Sequence, residues 1–192
     1  MKIEFIVTTY KRPHLLRCML ASLVAQTNPN WTAHILIDGP DDENATTIVE
    51  SFNDVRFRVT QMSRNYNNWG HTPHEIGKQS VTDVDYVIMT NDDNYYVPVF
   101  LDELVDAITR NNRPGLVYWK MVHSHFSYDV LDCIPAANYI DLGAYATRLD
   151  LAQQIHLKES EAGADGIFVE DLKLTFPNET LIKINKVLFV HN

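Results

Sequence analysis

The stretch "VIMTNDDNYYVP", residues 87–98, runs from an apolar segment straight into Asn91-Asp92-Asp93-Asn94. Val87 to Thr90 read as a buried strand. Two adjacent carboxylates at the end of such a strand are costly unless something pairs with them. Mg²⁺ and Mn²⁺ suit this arrangement, because they take few protein oxygens and complete their shells with water and phosphate. The competing reading is a polar turn in which Asp93 or Asn94 caps the next helix. The neighbouring segments favour the first.

Working outward, "IEFIVT" (3–8) is a β-branched and aromatic run that predicts a strand. It ends at "TTYKRP", and Pro13 then opens a helix whose Leu15, Leu16, Met19, Leu20, Leu23 and Val24 fall at helical spacing. Cys18 lies among them and reads as part of the buried face. "AHILID" (33–38) is a second strand stopped by Gly39-Pro40, and "DENATTIVESF" a second helix with Asp42 and Glu43 at its start. "RFRVTQM" predicts a third strand, "TPHEIGKQSV" a short helix, and "DYVIMT" the strand that delivers the acidic pair. Strand and helix thus alternate four times, which predicts an α/β fold with a mostly parallel central sheet flanked by helices. In such sheets ligands bind beyond the carboxyl ends of the strands. Three of those ends are chemically loaded: Thr8 to Arg12, Asp38-Gly39, and Asn91 to Asn94.

The second half is less regular. "VPVFLDELVDAITRN" is an amphipathic helix and "GLVYWKMV" a strand. A polar and aromatic tract follows (His123 to Tyr128), then "NYIDLGAYATR", a helix near 148–156, a helix starting at Asp165, and the closing strand "LIKINKVLFVH". No repeat or linker interrupts residues 1–192, so one domain is expected.

A formal net charge of −9 argues against a nucleic-acid partner bound through its phosphates. It is compatible with a small anionic ligand bound through a cation. Cys18 and Cys133 make neither a disulfide framework nor a zinc pattern. Glu4 interrupts what would be a signal-peptide core, and no apolar run reaches the roughly 18 residues that span a bilayer. A soluble, cytoplasmic protein is therefore expected.

Asp38, at the end of the second strand, is placed to accept hydrogen bonds from a nucleobase or ribose, or else forms a simple Asp-Gly turn. Tyr10 offers a stacking face and Arg12 a cation for a ligand's negative charge. Taken in order, "FIVTTYKRPHLLRCMLASLVAQT", "WTAHILIDGPDDEN" and "DYVIMTNDDNYYVPVFLDEL" resemble the successive motifs of the family 2 glycosyltransferases with the GT-A fold. The resemblance is close over residues 3 to about 105 and looser over 138–192.

What it implies is a nucleotide-diphosphate sugar donor, with the base near Thr8, Tyr10 and Asp38. It implies a nucleotide-sugar half over residues 1–95 and an acceptor half over 96–192. Asp92 would face the ribose or the metal, and Asp93 would ligate a divalent cation, Mn²⁺ or Mg²⁺. Asn94 replaces the third acid of the commoner Asp-x-Asp motif, which leaves the ligating carboxylate open. Gly143 would belong to an acceptor-side loop that helps to hold the nucleotide sugar, and His191 would be a C-terminal metal ligand. The general base is Asp165, or alternatively Glu170-Asp171; Asp165 fits better by its distance after Gly143 and its place at a helix start. Trp119, His123, His125, Phe126 and Tyr128 either shape an acceptor pocket or simply pack. The helix after Trp69-Gly70 either presents its N-terminus to the diphosphate or leaves His71 and His74 as exposed loop residues. The reaction implied is metal-dependent transfer of a sugar to a glycan hydroxyl with inversion. A sugar-1-phosphate nucleotidyltransferase would carry a glycine in the loop after strand one, which "TTYKRPHLL" lacks. A non-catalytic nucleotide-sugar-binding module would keep Asp38 and Asp93 without a working base.

Overall fold

The computed structural model describes residues 1–40, 44–158, 161 and 163–192. The strands are β1 (Ile3–Thr9), β2 (Trp31–Ile37), β3 (Phe57–Gln61), β4 (Tyr86–Asn91), β5 (Tyr95–Tyr96), β6 (Leu116–His123), β7 (Asp129–Leu131), β8 (Tyr145–Arg148) and β9 (Leu181–His191). The helices are α1 (Pro13–Val24), α2 (Ala45–Ser51), α3 (His71–Ser80), α4 (Phe100–Arg110), α5 (Leu149–Ala152) and α6 (Ala164–Thr175). Among the described residues the strands form one sheet in the order β3-β2-β1-β4-β8-β6-β9-β5, with β7 beside β6. Strands β1, β2, β3, β4, β6 and β9 run one way, and β5, β7 and β8 run against them. The expected mostly parallel α/β architecture is present.

Every residue of β1 is buried, as a central parallel strand covered on both faces requires. The chain steps from β1 to β2 to β3 in one direction, then returns to place β4 on the other side of β1. With right-handed crossovers that return puts α3 on the opposite face from α1 and α2. The reversal leaves a crevice between the carboxyl ends of β1 and β4, where Thr8 is in register with Asn91. Beneath it, Phe5, Trp31, Tyr96, Phe100, Trp119 and Phe189 pack as an aromatic core that joins the two halves of the sheet.

Several sequence expectations need correction. Cys18 is exposed, as is Val24, because the helix buries only Leu16, Met19, Leu20, Ser22 and Leu23. The helix expected near 148–156 is only Leu149–Ala152. Gln153 breaks off to donate its amide to the carbonyls of Lys78 and Val81, capping α3, and this tertiary contact overrides local propensity. Strand β8 emerges from "NYIDLGAYATR" because β4 and β6 supply its partners. Asp42 and Glu43, expected to open the second helix, lie outside the described residues.

Candidate active site

Beyond the strand ends lies a cleft of about 480 Å³, lined by Thr8, Thr9, Tyr10, Arg12, Asp38, Asn65, Asn67, Trp69, Gly70, Asn91, Asp93, His125, His191 and Asn192. One wall is set by Asp38. Its Oδ2 accepts from Asn65 Nδ2 at 2.9 Å and its Oδ1 from the Tyr66 backbone N–H at 3.0 Å. Burial nevertheless raises its pKa, against the pull of the Tyr66 bond. Thr8 donates to Asn91 Oδ1 at 2.6 Å. Gly70, at φ 83°, lies so close to Thr8 that a Cβ would come within 2.4 Å of its Oγ1. Only glycine fits there.

The acidic turn divides its two carboxylates. Asp92 is fully buried, accepts from Thr9 Oγ1 at 2.6 Å, and does not line the cleft. Burial pushes its carboxyl up to about 7, with Arg12 and Thr9 opposing and Asp93 reinforcing. Asp93 points into the cleft and accepts from Arg12 Nη1 at 2.5 Å. Arg12 Nη2 also approaches Asp92 Oδ1 at 2.5 Å, but without hydrogen-bond alignment, so that oxygen is a buried acceptor lacking a donor. Asn94 is buried and donates to Thr90 Oγ1 at 3.0 Å, so the third position of the motif serves the turn itself.

The second half of the chain brings His191 to the cleft wall, with Asp141 beside it; neither Asp141 nor Asp165 lines the cleft. His191 ends β9 on the cleft wall, stacked on His123 at 4.0 Å, with Nδ1 3.2 Å from Ser124 Oγ and Nε2 3.7 Å from Asp141 Oδ2. Asp141 accepts the Gly143 N–H at 2.7 Å, and burial raises its pKa against the pull of His191. Asp165 stands in the first turn of α6, where burial first and Asp141 second push it up to about 8, while a Leu142 backbone bond opposes. Its Oδ1 is 3.7 Å from Nε2 of His71, the first residue of α3. Glu170 instead accepts the Ala137 N–H at 3.0 Å, and Asp171 pairs with Lys158 at 3.5 Å. Both are thereby committed elsewhere.

Gly143 is brought near but does not line the cleft. It sits in a 3-10 turn, Leu142–Ala144, under Phe189, where a Cβ would be 2.4 Å from the ring. His71 and His74 are buried rather than exposed, and Trp119 belongs to the core. Of the aromatic tract only His125 lines the cleft; Tyr128 donates to Asn192 Oδ1 at 2.6 Å. Asp141, Asn65 and Asn67 escaped sequence reasoning. Asp141 alone left a signal, an isolated acid inside the apolar "YIDLGA" run.

No group of three His, Cys, Asp or Glu side chains suited to a metal exists among the described residues. A hard divalent cation that draws most of its shell from phosphate and water needs only one or two protein ligands, however. Asp93 and His191, a carboxylate and an imidazole lining one cleft, fit that smaller requirement.

The family model for glycosyl transferase family 2 matches residues 4–131, two thirds of the chain. The chain belongs to glycosyltransferase family 2. Protein CgeD of Bacillus subtilis is 26% identical over 180 residues, covering 82% of this chain and 40% of its own. The fold matches S. aureus TarS with a TM-score of 0.80 at 16% identity, over 100% of this chain and 60% of that one. It also matches the Pyrobaculum calidifontis mannosyltransferase PcManGT in complex with GDP-Man and Mn²⁺, TM-score 0.75 at 15% identity, over 99% and 56%. These are GT-A glycosyltransferase folds. This family 2 chain spans 40–60% of the length of these proteins.

Proposed function

We propose that the protein is a metal-dependent, inverting glycosyltransferase that moves a sugar from a UDP- or GDP-sugar to a hydroxyl of a glycan acceptor. The observation that carries the reading is the convergence of Asp38, Asp93 and His191 on one cleft at the sheet's switch point. TarS is known in complex with UDP-GlcNAc and PcManGT in complex with GDP-Man, which supports a nucleotide-sugar donor here.

In this reading residues 1–95 hold the donor and 96–192 face the acceptor. Asp38 receives the ribose or base, as its cleft-lining carboxylate suits a hydroxyl donor. Tyr10, partly exposed on the cleft, stacks on the base, and Thr8 shapes the floor beneath it. Asp93 and His191 hold the divalent cation, which when bound neutralises charge on the departing diphosphate. Asp92 acts behind Asp93 as a buried contact that positions the Arg12 guanidinium. Gly143 supports the acceptor side by letting its turn lie on Phe189. Asp165 takes the proton from the acceptor hydroxyl, and its raised pKa makes it a stronger base than an ordinary carboxylate.

The test is incubation with UDP- and GDP-sugars, Mn²⁺ and glycan acceptors while released nucleoside diphosphate is measured. Acceptor-dependent release that is lost in Asp165→Asn supports the reading. Binding without turnover across donors and acceptors points to a binding module instead.

A further inference from the structure

We propose that Arg12 is the resting counter-ion of the acidic turn and leaves Asp93 only when a divalent cation arrives together with a nucleoside diphosphate, so that cation capture depends on donor binding. This rests on the cation site proposed above. The guanidinium spans both carboxylates, hydrogen-bonded to Asp93 Oδ2 at 2.5 Å and set against Asp92 Oδ1 at 2.5 Å. The two contacts are unequal in kind. Asp92 is buried and tied to Thr9 at 2.6 Å, so it stays in place. Asp93 lines the cleft, where its carboxylate can change partners. The Arg12 side chain is 42% exposed, leaving it room to turn about the Asp92 contact without disturbing the core.

A bare cation entering this cleft meets a carboxylate already neutralised by Arg12 and must settle beside a like charge. No ready-made group of three ligating side chains compensates among the described residues. A diphosphate changes the balance, because it brings oxygens for the cation and a planar, bidentate partner for the displaced guanidinium. Arg12 then exchanges one anion for another instead of being left unpaired. Its position also explains how two adjacent acids are tolerated in the resting protein.

The experiment measures Mn²⁺ binding from the electron paramagnetic resonance signal of the free ion, with no nucleotide, with UDP and with GDP. Wild type, Arg12→Gln, Arg12→Lys and Asp93→Asn are compared after their thermal midpoints are shown to match. Wild type should bind Mn²⁺ weakly alone and at least about tenfold more tightly with one nucleotide. Arg12→Gln should bind Mn²⁺ alone about tenfold more tightly than wild type, shrinking the nucleotide effect, while Arg12→Lys, which keeps the charge, should stay near wild type. Nucleotide-linked Mn²⁺ binding in wild type, with Arg12→Gln no tighter toward Mn²⁺ alone, overturns the exchange while leaving the cation site intact. Mn²⁺ binding that ignores both nucleotides, or survives Asp93→Asn unchanged, overturns the cation site and the exchange with it.

Discussion

His71 Nε2 lies 3.7 Å from Asp165 Oδ1, so the first residue of α3 meets the first turn of α6. The two helices are separated in the chain by the whole of β4 to β8, and Gly70, immediately before α3, lines the cleft. Burial first and the neighbouring Asp141 second raise the Asp165 pKa to about 8, against the pull of the Leu142 N–H. If Asp165 is the base, only its ionised form works. The kcat/KM for transfer should then rise with pH up to about 8 and level off above it. Asp165→Asn should lose that limb and roughly 10²- to 10⁴-fold in kcat, with nucleotide affinity unchanged by thermal shift. A pH profile that is flat from 6 to 9 in the wild type would count against the assignment.

Glu170 provides the contrast. Its carboxylate accepts the Ala137 N–H at 3.0 Å and so ties α6 to the segment before it. Glu170→Ala should cost stability of about 1 kcal/mol in urea denaturation, with kcat unchanged. Loss of turnover at unchanged stability would reinstate it as the base.

Asp92 sets a pH dependence of folding. Its folded-state pKa, about 7, is raised, so the folded protein keeps a proton that the unfolded chain releases in the ordinary carboxylate range. The stability this contributes is fully present at low pH and is lost as pH rises through about 7. Asp38 and Asp165 are raised in the same direction. His34, His74 and His123, each lowered to about 4 chiefly by burial, act in the opposite direction as pH rises from 5. The contribution of Asp92 is therefore read by difference: Asp92→Asn should shift the stability change between pH 5 and pH 8 in favour of pH 8, relative to wild type, by on the order of 2 kcal/mol. Chemical denaturation of both proteins at the two pH values measures the difference.

Gly143→Ala should destabilise by about 1–3 kcal/mol, since its Cβ would sit 2.4 Å from the Phe189 ring in a filled core. Equilibrium unfolding checks this. Wild-type stability would mean that the turn shifts freely.

Lys78 is fully buried, paired with Glu75 at 2.7 Å, donating to the Ile155 carbonyl and lying over the Phe168 ring. It pins the chain leading toward α6 onto α3. Lys78→Met should cost about 3 kcal/mol by leaving Glu75 without its cation, and Lys78→Met with Glu75→Gln should cost less than the single change. A double-mutant cycle in urea reads the coupling directly.

The amino-acid sequence by itself determined the alternation of strands and helices through β4, because periodicity, Pro13, Gly39-Pro40 and β-branched runs act over a few residues. It also marked which strand ends carry chemistry. Thr8, Tyr10, Arg12, Asp38 and Asp93 all line the cleft, since a strand's end places its next residues at the sheet's rim whatever the partners are. Tertiary structure alone decided the rest. The pair β5–β9, which joins Tyr95 to Val190, is a contact between residues far apart in sequence, and no local pattern encodes it. Which of two adjacent carboxylates faces solvent depends on the β1–β4 register that lets Thr9 capture Asp92. The same holds for Asp141 and Asp165, ordinary loop and helix-start acids in the sequence. Their shifted protonation comes from burial beside each other, which only the folded chain supplies. The resting partner of "NDDN" is likewise a product of the fold: Arg12 reaches Asp93 across 81 positions of chain because β1 and β4 are neighbours.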